Sequence, residues 1–360
     1  MKTKPMTKFA ILALSLVLVA CAGGGSEEAG CPAIDGREIN VVATTPMIGE
    51  FVSQVGGENI NLTVLMPPEA NPHTYEPAPQ DAGTIAEADL VFYTGLLYEP
   101  AALVKLLENS ACSTDILSEV GESVFPIEFK EGGHDDHDDH DDHDDHDDHD
   151  DEEGHDDHDD EEGHDDEEDH DDEEGHDDHE GHNHGAYDPH FWFDPSRVAY
   201  AAEYIESRLI QFDPENESSY ISSADSFVSE LNDLTKQVSE LISTVPSQNR
   251  KLITTHESLG YLEAKFGLEV LSTIIPSLNS ANEISPSDLA GVIDVIEDNN
   301  VKVIFIESEA PSVYSETIVA ETGIKPVTGL YVETLKPGQS YSEFLISNVT
   351  LITENLQDTD

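Results

Sequence analysis

The sequence predicts an α/β protein built as two α/β lobes joined by one long, rigid linking helix. Three observations carry that prediction. Short β-branched runs alternate with amphipathic stretches on both sides of a 51-residue acidic run at 134–184. An apolar stripe of helical period extends from Tyr220 to Val245 without a break. Asp-Pro pairs at 194–195 and 213–214 mark two helix starts, since Asp can accept an orphan backbone N–H and Pro has none to leave unpaired.

The elements follow in order. "INVVATT" (39–45) reads as a strand, 47–55 as a helix, "NLTVLMP" (61–67) as a strand, "AEADLVFYTG" (86–95) as another and "PAALVKLLEN" (100–109) as a helix. A helix beginning at Asp194 carries Val198, Ala202, Ile205, Leu209 and Phe212 on one face. From Asp213 the apolar positions Tyr220, Ala224, Phe227, Leu231, Leu234, Val238, Leu241 and Val245 repeat at 4-3-4-3 spacing. A coiled-coil dimer seam is one reading of that spacing. A single helix of some 30 residues, about 45 Å long at ~1.5 Å per residue and packed along both lobes, is the preferred one. Such a helix is a poor hinge, so lobe motion is expected to be small. Beyond it, "RKLITTH" (250–256), "LEVLSTII" (268–275), "VKVIFIES" (301–308) and "KPVTGLYVET" (325–334) read as strands, with helices at 286–299 and 312–322. Alternation of this kind is the pattern of α/β layers. The expected division is 38–212 for the first lobe including the acidic run, 213–247 for the linking helix and 248–360 for the second lobe.

The N-terminus reads as an export signal over 1–20. Lys2, Lys4 and Lys8 precede a 12-residue apolar stretch at 9–20, too short to span a bilayer, which needs about 20 residues. "LVAC" ends it with small residues directly before Cys21, the pattern of a bacterial lipobox, and 21–37 then forms a tether. Acylation of Cys21 would anchor the protein outside the cytoplasm on a bacterial membrane, in the periplasm or at the cell surface. In such an oxidising setting Cys31 and Cys112, which lack CxxC spacing, are expected to form a disulfide.

The formal net charge is −63, and 32 of the 78 acids lie in the 51-residue run. That run contains no apolar residue, so burial cannot offset its ordering entropy, and it is expected to be disordered when free of metal. The rest of the chain is acidic too, which argues against nucleic acid or an anionic membrane face as partner and suits either a cationic ligand or a salty habitat. His134, His137, His140, His143, His146 and His149 open six consecutive His-Asp-Asp units. His155, His158, His164, His170, His176, His179, His182 and His184 continue more loosely. They offer many weak, interchangeable metal sites, each needing a highly charged segment to be ordered. The run is expected to collect and buffer divalent metal for a tighter site, or to compete for it; a solvated spacer is the alternative. Its carboxylates also suit weak Ca²⁺ or Mg²⁺ association.

Only three of the 17 histidines lie elsewhere: His73 in "EANPHTYEP", His190 in "YDPHFWFDP" and His256 in "ITTHESLGYL". Each follows a strand or a Pro-containing turn, where loops present side chains to a cleft. These stretches, with "LYVETL" at 330–335, resemble in order the motifs of the zinc- and manganese-binding solute receptors of bacterial ABC importers. The resemblance covers about residues 38–357. It implies two α/β lobes with the metal site in the interlobe cleft, His73 and His190 supplied by the first lobe and His256 by the second. Glu333 falls where that family has a carboxylate, usually Asp, that completes the site; the oxygen donor here is then Glu333 or water. Manganese receptors tend to carry Glu where this chain has His256. Three imidazoles and one oxygen suit tetrahedral Zn²⁺, whereas Mn²⁺ prefers more oxygens. Asp188, Asp194 and Glu307 are expected to shape turns, cap helices or hold a ligand imidazole by its second nitrogen. Trp192 is expected in the core or the cleft wall.

The resemblance implies a monomeric receptor that hands Zn²⁺ to a membrane permease served by a separate ATPase, as no P-loop pattern occurs here. A manganese receptor, and a surface metal buffer or cell-adhesion protein without transport, are the alternatives. A three-histidine zinc hydrolase is disfavoured: there is no HExxH, and no general base is evident from spacing.

Overall fold

β1 (Ile39–Ala43) lies inside a four-stranded parallel sheet of order β2-β1-β3-β4, with β2 (Ile60–Val64), β3 (Leu90–Tyr93) and β4 (Leu117–Glu119). β1 is almost wholly buried, whereas edge strand β2 alternates, as one solvated face requires. The computed structural model describes residues 31, 34, 36–129, 187–309 and 313–357. The export signal, Cys21, most of the tether and all fourteen histidines of 134–184 lie outside the described residues.

Helix α1 (Pro46–Gly56) starts where Thr45 accepts the N–H of Ile48 and Pro46 fills the first turn. A Cβ on Gly49 would stand 2.6 Å from a Val64 methyl, so a glycine is what lets α1 lie this close to β2. α2 (Pro79–Ala86) and α3 (Ala101–Ser110) complete the first lobe's βα units. Cys31 is bonded to Cys112, just past α3, with their Cα atoms 5.0 Å apart.

α4 (Pro195–Phe212) begins at Asp194, whose carboxylate accepts the Ser196 N–H at 2.9 Å. The linking helix α5 spans Glu217–Ser243, shorter at both ends than the sequence predicts. At its start Asp213 is occupied by the Asn216 amide and the Tyr220 hydroxyl, and a 3-10 turn precedes the helix proper. At its end Pro246 disfavours helical geometry for Val245. The buried stripe also departs from strict 4-3 repetition: after Val238 the buried residue is Ile242, not Leu241. A straight helix has 3.6 residues per turn, so a sustained 3.5 pattern must drift, and the extra residue restores the face. The stripe is covered within this chain by α1, α4 and α9, which leaves no seam for a coiled-coil partner.

The second lobe pairs β5 (Lys251–His256) with β6 (Glu269–Ile275), and β7 (Val303–Glu307) with β8 (Lys325–Leu330), all parallel. The two ribbons lie side by side, stitched where the Glu307 N–H donates to Thr255 Oγ1. α6 (Gly260–Phe266), α7 (Pro286–Asn299), α8 (Val313–Thr322) and α9 (Tyr341–Gln357) surround them. β8 stops four residues short of the predicted 334. Beyond Leu330 the N–H groups of Val332 and Glu333 turn to the Glu309 carboxylate instead of a neighbouring strand.

One apolar core runs through both lobes, joining Val41 and Phe51 to Leu209, Leu231, Val238, Phe344 and Val349. Trp192 lies within it; its indole N–H donates to the Val332 carbonyl at 2.8 Å, and its own carbonyl accepts from Tyr341 at 2.7 Å. Parting the lobes would bare aromatic side chains that each bury 150–250 Å² in a typical core. Among the described residues no helix is long and apolar enough to cross a membrane.

Candidate metal centre

In open parallel sheets, ligand sites form at the carboxyl ends of strands, where loops diverge. The predicted residues arrive there from four places. His73 sits on a 3-10 turn, Pro72–Thr74, after β2; the Asn71 side chain accepts its N–H at 2.9 Å and sets the turn. His190 precedes the 3-10 turn Phe191–Phe193 that leads into α4. His256 ends β5, and Glu333 lies just past β8.

The structure brings these four together, their ligand atoms within 4.8 Å of one another. All are shielded: the His73 side chain is 3% exposed and the other three are fully buried. Glu333 Oε1 lies 3.0 Å from His73 Nε2 and 2.8 Å from His256 Nε2, and Oε2 lies 3.5 Å from His190 Nε2. In a tetrahedral zinc site with bonds near 2 Å, donor atoms stand about 3.3 Å apart, close to these separations.

The second nitrogens explain which face each imidazole presents. Asp188 Oδ1 accepts both the backbone N–H and the Nδ1–H of His190, each at 2.8 Å. Glu307 grips His256 in the same double fashion, through its backbone N–H and Nδ1. With Nδ1 committed to a carboxylate, the lone pair of the neutral ring is on Nε2, directed inward. Nε2 of His190 and of His256 is buried with no hydrogen-bond partner. For His256 this holds even though Glu333 Oε1 is 2.8 Å away, because the two atoms are not aligned on each other. Two buried donor groups that approach without bonding fit a shared point between them, which a cation would occupy.

Charge follows from this crowding. Burial works to raise the Glu333 pKa, yet the imidazoles of His73, His256 and His190 hold it well below the usual carboxylate range. Burial opposes charging of His190, but Glu333 and Asp188 outweigh it and push its pKa to about 9. His256, between Glu307 and Glu333, is raised well above its ordinary value for the same reason. Glu309 lies nearby with its pKa pushed up to about 8, by burial first and then by Glu333 and Glu307.

Tyr98 is a neighbour the sequence reading did not anticipate. Its hydroxyl lies 2.9 Å from Glu333 Oε2 and 3.0 Å from the Glu333 carbonyl, and its ring packs edge-on against His73 and His190. With Trp192, 5.4 Å from the His190 ring, it walls the centre. Tyr98 is delivered by a strained turn in which Gly95, Leu96 and Leu97 all have positive φ, at 77°, 53° and 62°. Such backbone costs a leucine of order 1 kcal/mol and persists only where the surroundings enforce it. Here Glu99 accepts the N–H groups of Thr94 and Gly95, and Glu119 accepts that of Leu96. A buried tyrosine needs a partner for its hydroxyl, so "TGLLYEP" after an apolar strand was the available signal.

The family model of the zinc-uptake complex component A, periplasmic, matches residues 41–355. The chain belongs to this family. A zinc-uptake component of this kind is a binding receptor and not an enzyme. Among relatives of the chain, the high-affinity zinc uptake system protein ZnuA of Bacillus subtilis is 26% identical, with 97% of this chain and 96% of the relative aligned. The manganese-binding lipoprotein MntA of Halalkalibacterium halodurans is 21% identical, with 97% of each chain aligned. The fold is that of the periplasmic zinc binding protein TroA from Treponema pallidum, with a TM-score of 0.69 at 19% identity, covering 89% of this chain and 99% of that one.

Proposed function

We propose that the protein is an extracytoplasmic, high-affinity zinc receptor, lipid-anchored through Cys21, that delivers Zn²⁺ to the permease of an ABC importer. His73, His190, His256 and Glu333 hold the ion; His134 to His184 supply weak auxiliary sites. The observation that carries the reading is the convergence of three buried Nε2 atoms on one buried carboxylate. Three nitrogens and one oxygen in a closed site favour Zn²⁺ over Mn²⁺, which takes oxygen-rich octahedra. A full-length relative named for manganese keeps that ion as the competing cargo. Titrating metal-free protein with Zn²⁺ and Mn²⁺ separately, then scanning absorption edges of protein purified from its own cells, tests the choice. Tighter capture of Mn²⁺, with manganese at the edge, would overturn it.

The acidic run ends six residues before His190, which places any metal it holds close to the centre along the chain. Deleting 134–184 is expected to leave one tightly bound zinc per chain and to abolish the weak additional uptake seen in a titration. Loss of the tight equivalent would make the run the principal site.

A further inference from the structure

Asn71 does more than cap the turn that carries His73. Its side-chain oxygen accepts the His73 N–H, while its NH₂ group donates to Ser280 Oγ at 3.0 Å and to the Glu309 carbonyl at 3.1 Å. Both acceptors belong to the second lobe, 209 and 238 positions along the chain. The opposite amide orientation would set an oxygen against the Glu309 carbonyl and an NH₂ against the His73 N–H, so the network fixes this one. Glu309 in turn accepts the backbone N–H groups of Val332 at 3.2 Å and Glu333 at 3.3 Å. His73 Nε2 and Glu333 Oε1 face each other at 3.0 Å. The chain of contacts is closed: Asn71, Glu309, Glu333, His73 and back to Asn71. It encloses one ligand from each lobe.

Resting on the receptor reading above, we propose that Asn71 is an interlobe latch, a positioning residue that joins the His73 turn to the Ser280 and Glu309 segments and thereby sets how long the ion is retained. Withdrawing His73 from Glu333 requires both donations from Asn71 to break. Two neutral hydrogen bonds of ordinary net strength correspond to about tenfold or more in a dissociation rate.

The test separates the cap from the latch. In Asn71→Ser the shorter hydroxyl still caps the turn, as Ser and Asn do about equally well, but it cannot reach Ser280 and Glu309. Ser280→Ala removes one acceptor and leaves the His73 turn intact. Full-length protein is loaded with one equivalent of Zn²⁺ and, separately, Mn²⁺; release into excess chelator is followed by stopped flow, together with association rates and the melting midpoint of the metal-free form. Release should quicken about tenfold in Asn71→Ser and about threefold in Ser280→Ala, with association within twofold of wild type and the metal-free form still fully folded at the assay temperature. Unchanged release in both variants would overturn the latch. So would faster release found only together with partial unfolding of the metal-free variants at the assay temperature, which marks a merely structural contact. If wild-type protein retains neither ion stoichiometrically, the receptor reading fails first and takes the latch with it; tight wild-type retention with unaltered variants removes the latch alone.

Discussion

Replacing His256 with alanine is expected to abolish stoichiometric tight zinc capture, weakening affinity on the order of a hundredfold or more. Structural zinc sites bind with about 10–16 kcal/mol shared among four ligands, so losing one removes several kcal/mol. His73→Ala and His190→Ala should behave alike, because each contributes one inward Nε2 to the same carboxylate. Competition against a chromophoric chelator measures the loss, and circular dichroism reports whether the variant is folded. A graded response is expected from the partners of the ring nitrogens. Asp188→Asn and Glu307→Gln leave every ligand in place yet alter the hydrogen bonds that hold His190 and His256, and should cost about 10–100-fold. If any of the three alanine variants kept a folded structure and undiminished stoichiometric binding, the centre described here would not be the functional one.

Much of that centre was legible in the sequence, and the reason is local. His73, His190 and His256 stand out because each follows an apolar strand or a proline turn and because no other histidine lies outside the acidic run. Asp188 is two residues from His190, so its bond to that ring is a short-range event. Glu307 required more: it meets His256 only because β5 and β7 lie side by side. The residues that escaped are those whose roles depend wholly on tertiary contacts. Tyr98 reaches Glu333 across 235 positions, and Asn71 reaches Ser280 across 209; no spacing rule connects them. The shortened β8 escaped for the same reason. "LYVET" has strand composition, but the Glu309 carboxylate draws the amides of Val332 and Glu333 out of the sheet. The helical stripe was right in kind and wrong in its last turn, where Ile242 replaced Leu241. A heptad template cannot represent the drift of a straight helix.

The shared core and the centre constrain one another. Trp192 belongs to the core through its packing and to the centre through its ring against His190, and it bonds to Val332, the residue before Glu333. A large hinge would have to disrupt that arrangement. Opening confined to the His73 turn and the main chain at 95–97, with the Tyr98 ring left packed on Trp192, would not, and both turns are held by a few hydrogen bonds each. Release of cargo through these small elements is compatible with a linking helix buried along one whole face.

Metal capture is expected to be strongly pH-dependent well above the range in which ordinary histidines titrate. An unperturbed imidazole has a pKa near 6.5, so at pH 8 it would bind a metal without releasing an appreciable share of a proton. In this centre His190 is held at about 9 and His256 well above its usual value, both facing the Glu333 carboxylate. The metal-free protein is therefore expected to carry protonated rings at pH 7–8, and the cation must displace their protons. Affinity should fall as pH drops through about 9, by more than one proton's worth between pH 9 and pH 7. Calorimetry at pH 7.5 in buffers of differing ionisation heat should record more than one proton released per zinc. The sign for stability is opposite for the two kinds of group. A raised histidine pKa stabilises the metal-free fold fully below about pH 6.5, and that contribution is lost as pH rises through about 9. The depressed Glu333 contributes above the ordinary carboxylate pKa and is lost only in stronger acid. The groups titrate as one unit, so these contributions are not additive. The gap between melting midpoints with and without zinc should consequently widen from pH 6 to pH 9. Glu333→Gln removes the carboxylate that both rings share, while Asp188 stays on His190 and Glu307 on His256, so both pKa values should fall without protonation being lost altogether. That variant should bind zinc more weakly and release fewer protons in doing so. Buffer-independent binding heats in the wild type would show that the rings are already neutral, and the electrostatic account of this centre would fall.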